Sequence, residues 1–78
     1  MVLRNNIIFI RPEKAKMNRI KEILEEKNIT QTWLSEKLGK SYNMVNSYVQ
    51  NRRQPSIEVL YEIARILKVK PSQLLNEN

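Results

Sequence analysis

The feature that most constrains this chain is its single glycine, Gly39, set between two short amphipathic stretches. Residues Thr30 to Gln50 read TQTWLSEKLGKSYNMVNSYVQ. The apolar spacing predicts one helix over about 31–38 and another over about 42–50. Glycine suits the junction because a helix commonly ends in one left-handed residue, where a Cβ is penalised. Thr30 is placed to cap the first of these helices and Ser41 the second, each through its hydroxyl. Neither helix is long enough to be stable alone, so each must be held by packing.

Two short helices joined by a glycine turn have the sequence form of a helix-turn-helix. With Tyr42 at 0° and about 100° per residue, Met44, Val45, Tyr48 and Val49 fall on one side of the second helix. Tyr42, Asn43, Asn46, Ser47 and Gln50 fall on the other. That outer face is uncharged and rich in amides, although Asn is a poor helix former. A solvated face would more often carry Lys and Glu. Asn and Gln can present a donor and an acceptor together to the major-groove edge of adenine.

With 78 residues the chain is read as one domain with a marginal core, in need of efficient helix packing or a partner subunit. It carries 14 Lys and Arg against 8 Asp and Glu, a net charge of +6, which suits a polyanionic partner as well as solubility. The distribution is more telling than the total. From Asn28 to Gln54 the basic residues are Lys37, Lys40, Arg52 and Arg53, and the one acid is Glu36. The acids gather instead in the first and fourth helical patterns. The absence of Cys and His removes disulfides, most metal sites and most nucleophile–base pairs. No enzyme activity, metal or cofactor is therefore expected, and the cysteine-free composition fits the cytoplasm. The longest apolar run, Ile7–Ile10, falls far short of the ~20 residues that span a bilayer. No membrane association is expected.

Residues 1–16 form a separate segment, expected to be an extended arm. Its apolar run around Ile7–Ile10 and its basic residues Arg4, Arg11, Lys14 and Lys16 leave three readings open: a tail, a strand shared between subunits, or an arm that touches DNA. The compact domain is expected over 17–78. Its first helix is read over about 18–27, with Met17, Ile20, Ile23 and Leu24 as the apolar stripe and Asn18 as cap. In the second, Trp33 or Leu34 faces inward with Leu38, and the small Ser35 permits close helix approach. Pro55 separates the third helix from the fourth, and Ser56 caps the fourth over about 57–67. Ile57, Leu60, Ala64 and Leu67 form its first stripe. A second stripe, Val59, Ile63 and Ile66, makes the apolar arc wider than one core face requires. Its surplus surface points either to a dimer contact through Val59, Ile66 and Leu74 or to further intramolecular packing. A short fifth helix follows Pro71, with Leu74 and Leu75 closing the core or joining that contact.

In combination, Thr30-Gln31, Leu34-Ser35, Leu38-Gly39, Ser41, Val45 and the run Asn51-Arg52-Arg53-Gln54-Pro55-Ser56 resemble the Cro and lambda-repressor-like (XRE) helix-turn-helix family. The resemblance covers about Ile20 to Leu75. It implies an all-α, five-helix bundle that places its third helix in the major groove of double-stranded DNA. Carried over by position, it implies base contacts by Tyr42, Asn43, Asn46 and Ser47. It implies backbone phosphate contacts by Gln31, Gln50, Asn51, Arg52 and Arg53, and the basic Lys40 in the turn is expected to join them. The chain departs from the family pattern at Tyr42, where a small residue or arginine is common, and at Asn51, where glycine is common. The implied function is a homodimeric transcriptional repressor. An antitoxin that binds a toxin partner, a control protein of a restriction–modification module, and a protein-interaction adaptor that uses the fold without reading DNA are the alternatives.

Overall fold

Four helices make up most of the fold, and local chemistry sets nearly all of their ends. In a computed structural model that describes residues 16–76 they are α1 (Ile20–Lys27), α2 (Gln31–Leu38), α3 (Tyr42–Val49) and α4 (Ile57–Leu67). A single 3-10 turn, Pro71–Leu74, stands where the fifth helix was expected. The expected extended arm lies, apart from Lys16, outside the described residues.

Each of the three predicted hydroxyl caps forms. Thr30 Oγ1 accepts from the Trp33 N–H at 3.0 Å, Ser41 Oγ from Met44 N–H at 3.0 Å, and Ser56 Oγ from Val59 N–H at 3.2 Å. These bonds satisfy donors that a helix start leaves without partners. At the other ends the chain turns through the left-handed region four times, at Asn28, Gly39, Asn51 and Lys68. Gly39, at φ 72°, has open space where a Cβ would stand, so the reason for glycine there is backbone conformation alone.

The start of α1 differs from expectation. Asn18 and Arg19 are not helical, because an antiparallel bridge pairs Asn18 with Leu75. Arg19 N–H donates to Leu74 O at 2.8 Å, and Asn76 N–H to Met17 O at 3.1 Å. Extended pairing excludes these residues from the helix, which begins two residues later. Asn18 still serves the helix start: its Oδ1 accepts from Ile20 N–H at 3.0 Å. The same bridge keeps Leu75 out of the 3-10 turn.

The core is built from all of these elements: Ile20, Ile23 and Leu24 of α1, Leu34 of α2, Val45, Tyr48 and Val49 of α3, Leu60, Ile63, Ala64 and Leu67 of α4, and Leu74. Helix α2 packs on α3 and α4, and α1 packs on α3, so α3 is held from two sides with its amide face left outward. Buried Ser35 stands on α2, as the close approach of the two helices requires.

Three apolar assignments change. Leu74 is fully buried within one chain, so it cannot contribute to a dimer contact; its neighbour Leu75 is 45% exposed. Ile57 stands 67% exposed, at the edge of the buried stripe of α4, although Leu60 in the same turn is buried. The inward stripe of α4 is Leu60, Ile63, Ala64 and Leu67, flanked by half-buried Val59 and Ile66. Met17 is also exposed and lies outside the helix, which begins at Ile20. On α2 the inward residue is Leu34; Trp33 lies at the surface with the Lys37 ammonium 5.4 Å from its ring centroid, a cation–π arrangement. Among the described residues, no helix is long and apolar enough to cross a membrane.

Candidate nucleic-acid interface

Helix α3 exposes the face that its sequence pattern indicated. Tyr42 and Asn43 are exposed, and Asn46 and Ser47, one turn on, are half-buried. Val45, Tyr48 and Val49 anchor the opposite side in the core. The Ser47 hydroxyl donates to Met44 O at 2.6 Å, so its oxygen keeps its capacity as an acceptor. Ser41, Asn43, Met44, Ser47 and Arg53 line one shallow groove of about 250 Å³. Two expected base-reading residues, Asn43 and Ser47, thus share a concavity with an expected phosphate-binding one, Arg53.

The expected phosphate-binding residues surround this face, but they are not equivalent. Lys40, Gln50, Arg52 and Arg53 are exposed. Among the described residues the ion pairs are Lys16–Glu22, Arg19–Glu26 and Arg65–Glu62, and none uses Lys40, Arg52 or Arg53. Arg53 Nη1 lies 3.8 Å from Met44 Sδ, so its guanidinium leans back along α3. The Arg52 and Arg53 N–H groups both donate to Ser47 O, at 2.9 and 3.2 Å. These bonds wrap the arginine loop onto the end of α3.

Gln31 sits at the first position of α2, half-buried, and its Oε1 is enclosed with no donor among the described residues. A phosphate offers only acceptors, so the Nε2 end is the one suited to meet it. Asn51 is occupied differently from the other residues in this group. Its side chain points inward, where Oδ1 accepts from Met17 N–H at 2.8 Å and Asn18 N–H at 2.9 Å. Its Nδ2 donates to Asn18 O at 3.1 Å. The amide is therefore committed to the chain itself.

Sequence reasoning missed the residue that organises this end of the site. Asn18 was expected only to cap α1, yet it is 1% exposed and fully bonded. Its Nδ2 donates to Tyr48 O at 3.1 Å and to Gln54 Oε1 at 2.9 Å. The only signal in the sequence was an asparagine before a helix and two amides around the arginines. Nothing in that pattern says that they meet.

The helix-turn-helix family profile matches residues 20–74, most of the chain, and the chain belongs to this family, of the XRE type. A protein from Bacteroides fragilis, described as a candidate DNA-binding protein, is 45% identical with a TM-score of 0.76; the match covers 77% of this chain and 97% of that one. The N-terminal DNA binding domain of SinR from Bacillus subtilis is 33% identical with a TM-score of 0.65, covering 77% of this chain and 88% of that one. The restriction-modification controller protein C.AhdI from Aeromonas hydrophila, at 23% identity and a TM-score of 0.68, covers 73% and 86% and shares the fold. No curated protein gives a significant match.

Proposed function

We propose that this chain is a sequence-specific double-stranded DNA-binding transcriptional regulator, a homodimeric repressor that reads the major groove with α3. The observation that carries the reading is the uncharged, amide-bearing outer face of α3, rimmed by Lys40, Arg52 and Arg53. The descriptions of the Bacteroides fragilis protein and of SinR as DNA-binding support it. In the proposed complex Gln31, Lys40, Gln50, Arg52 and Arg53 meet phosphates and fix register, while Tyr42, Asn43, Asn46 and Ser47 meet base edges. Side-chain amides favour adenine, so adenine-bearing half-sites are expected. Two copies would set their recognition helices ~34 Å apart on one DNA face, which makes the operator an imperfect palindrome. Promoter occlusion then represses transcription. The function needs no catalytic step and no cofactor, and it places the chain in the cytoplasm with its DNA.

Selection from a random duplex pool at near-physiological salt tests this reading. An adenine-bearing palindrome is the expected result. Recovery of no motif, with binding that vanishes as salt rises, would leave only charge attraction and move the weight to an antitoxin or adaptor role. On the selected site, Asn46→Ala is expected to cost ~1–3 kcal/mol at one base position and to relax specificity there. Equal weakening on every sequence would remove Asn46 from base readout.

The surface offered to a second copy is amended by the burial of Leu74. Ile57 and Tyr61 are exposed on one edge of α4, with exposed Leu75 beyond the helix, while half-buried Val59 and Ile66 lie on its opposite edge. Tyr61 is 58% exposed, so Tyr61→Lys leaves the monomer fold intact. It is expected to shift the solution mass toward monomer and to weaken palindrome binding by ~10²-fold or more through lost bivalency. An unchanged mass and affinity would place the dimer contact elsewhere.

A further inference from the structure

Asn51 stands at φ 61°, where glycine would be the least strained choice. Its backbone completes the turn that ends α3: Asn51 N–H donates to Tyr48 O at 3.0 Å and Arg52 N–H to Ser47 O. Glycine would serve that turn equally well, so the asparagine side chain needs a separate reason. That side chain gathers Met17 N–H and Asn18 N–H on its Oδ1, receives Gln54 Nε2 there at 3.2 Å, and returns its own Nδ2 to Asn18 O. Gln54 reaches the same place from the other side of the arginines, its Oε1 accepting from Asn18 Nδ2. Arg52 and Arg53 are thus bracketed by two residues, Asn51 and Gln54, that both fasten to Asn18, which is 1% exposed.

Resting on the reading that this loop meets DNA phosphates, we propose that Asn51 is a positioning residue for DNA binding. It ties the arginine loop to the segment Met17–Asn18 and so holds Arg52 and Arg53 where phosphates meet them. It touches no phosphate itself, in contrast to the expectation from its place in the sequence. The physical basis is the ordering of long side chains. A guanidinium on a loop held at both ends loses less freedom on binding than one on a loop held only by α3. Met17 and Asn18 thereby become part of the DNA-binding apparatus although they lie more than 30 residues away in the chain.

The test uses Asn51→Gly, which keeps the left-handed backbone and removes the tether. Binding to a short mixed-sequence duplex is measured across a salt series, below the melting point of each variant. The set is the unaltered chain, Asn51→Gly, the double variant Arg52→Ala with Arg53→Ala, and all three changes together. Asn51→Gly is expected to weaken binding by about tenfold and to lower the salt slope by up to one unit. Both effects should vanish in the background that lacks the arginines. A lowered melting point with affinity and slope unchanged would make Asn51 a stability residue only and overturn the proposal. An equal loss of affinity in both backgrounds would also overturn it. If the double arginine variant leaves the slope unchanged, the loop does not meet phosphate, and that result identifies the underlying reading as the part that failed. Amide hydrogen exchange on the unaltered chain gives a readout that needs no variant. Met17 and Asn18 N–H should be protected in the free protein and further slowed on DNA; rapid exchange at both in either state overturns the tether.

Discussion

Leu34→Ala is expected to destabilise the domain by about 2–5 kcal/mol, enough to unfold much of the population of so small a protein. The reason is the uneven supply of core side chains. Helices α1, α3 and α4 each bury three or more residues, while α2 buries Leu34 and the small Ser35 alone, with Leu38 half-buried at its end. Leu34 is 0% exposed. Its removal leaves a cavity on the side of α2 that packs against α3 and α4, and α2 has eight residues, too few to persist undocked. Thermal unfolding followed by circular dichroism checks this. A drop in melting temperature of at least ~8 °C is expected from the size of the domain. Trp33→Ala on the neighbouring, partly exposed position should shift it far less. A Leu34→Ala protein that melts within a few degrees of the unaltered chain would show that α2 is held by something other than this side chain.

The double change Arg52→Ala with Arg53→Ala is expected to reduce the slope of log affinity against log salt by about two units. Each arginine that neutralises one phosphate releases close to one counterion from duplex DNA. Because phosphates carry no base identity, the loss should be nearly uniform across sequences, unlike the position-specific loss expected from Asn46→Ala. Titrations of one selected and one scrambled duplex over a range of salt separate the two behaviours. An unchanged slope would remove the loop from the interface; a slope lowered on the selected duplex alone would turn these arginines into base readers. Both side chains are exposed and neither enters an ion pair among the described residues, so the change breaks no observed ion pair within the fold.

The comparison of sequence and structure divides along the range of the interactions. Thr30, Ser41 and Ser56 cap their helices as their positions require, because a cap hydroxyl reaches an N–H only three residues ahead. Gly39 and Asn51 adopt the left-handed conformation at the ends of α2 and α3 for equally local reasons. The outward face of α3 follows from periodicity over eight residues. Errors arise where a residue's role depends on a distant segment. Leu74 and Leu75 are the same residue type side by side, and only the packing of the 3-10 turn against α4 puts one in the core and the other at the surface. Ile57 belongs to the apolar arc of α4 by angle, yet it stands 67% exposed while Leu60, in the same turn, is buried. Asn18 reads as an ordinary cap until the bridge to Leu75 pulls it out of α1.

By itself, then, the amino-acid sequence determined the four α-helices of this protein and the outward face of α3. Caps, turn residues and helical periodicity act within a few positions of one another, and such signals survive without knowledge of the rest of the chain. The tertiary structure alone decided which apolar side chains are covered and which amides are consumed internally. It bonded the Asn51 side chain to Met17 and Asn18, and it buried Leu74. Burial and hydrogen-bond satisfaction depend on what lies opposite a side chain, and that neighbour comes from 30 or more residues away in the chain in the case of Asn51.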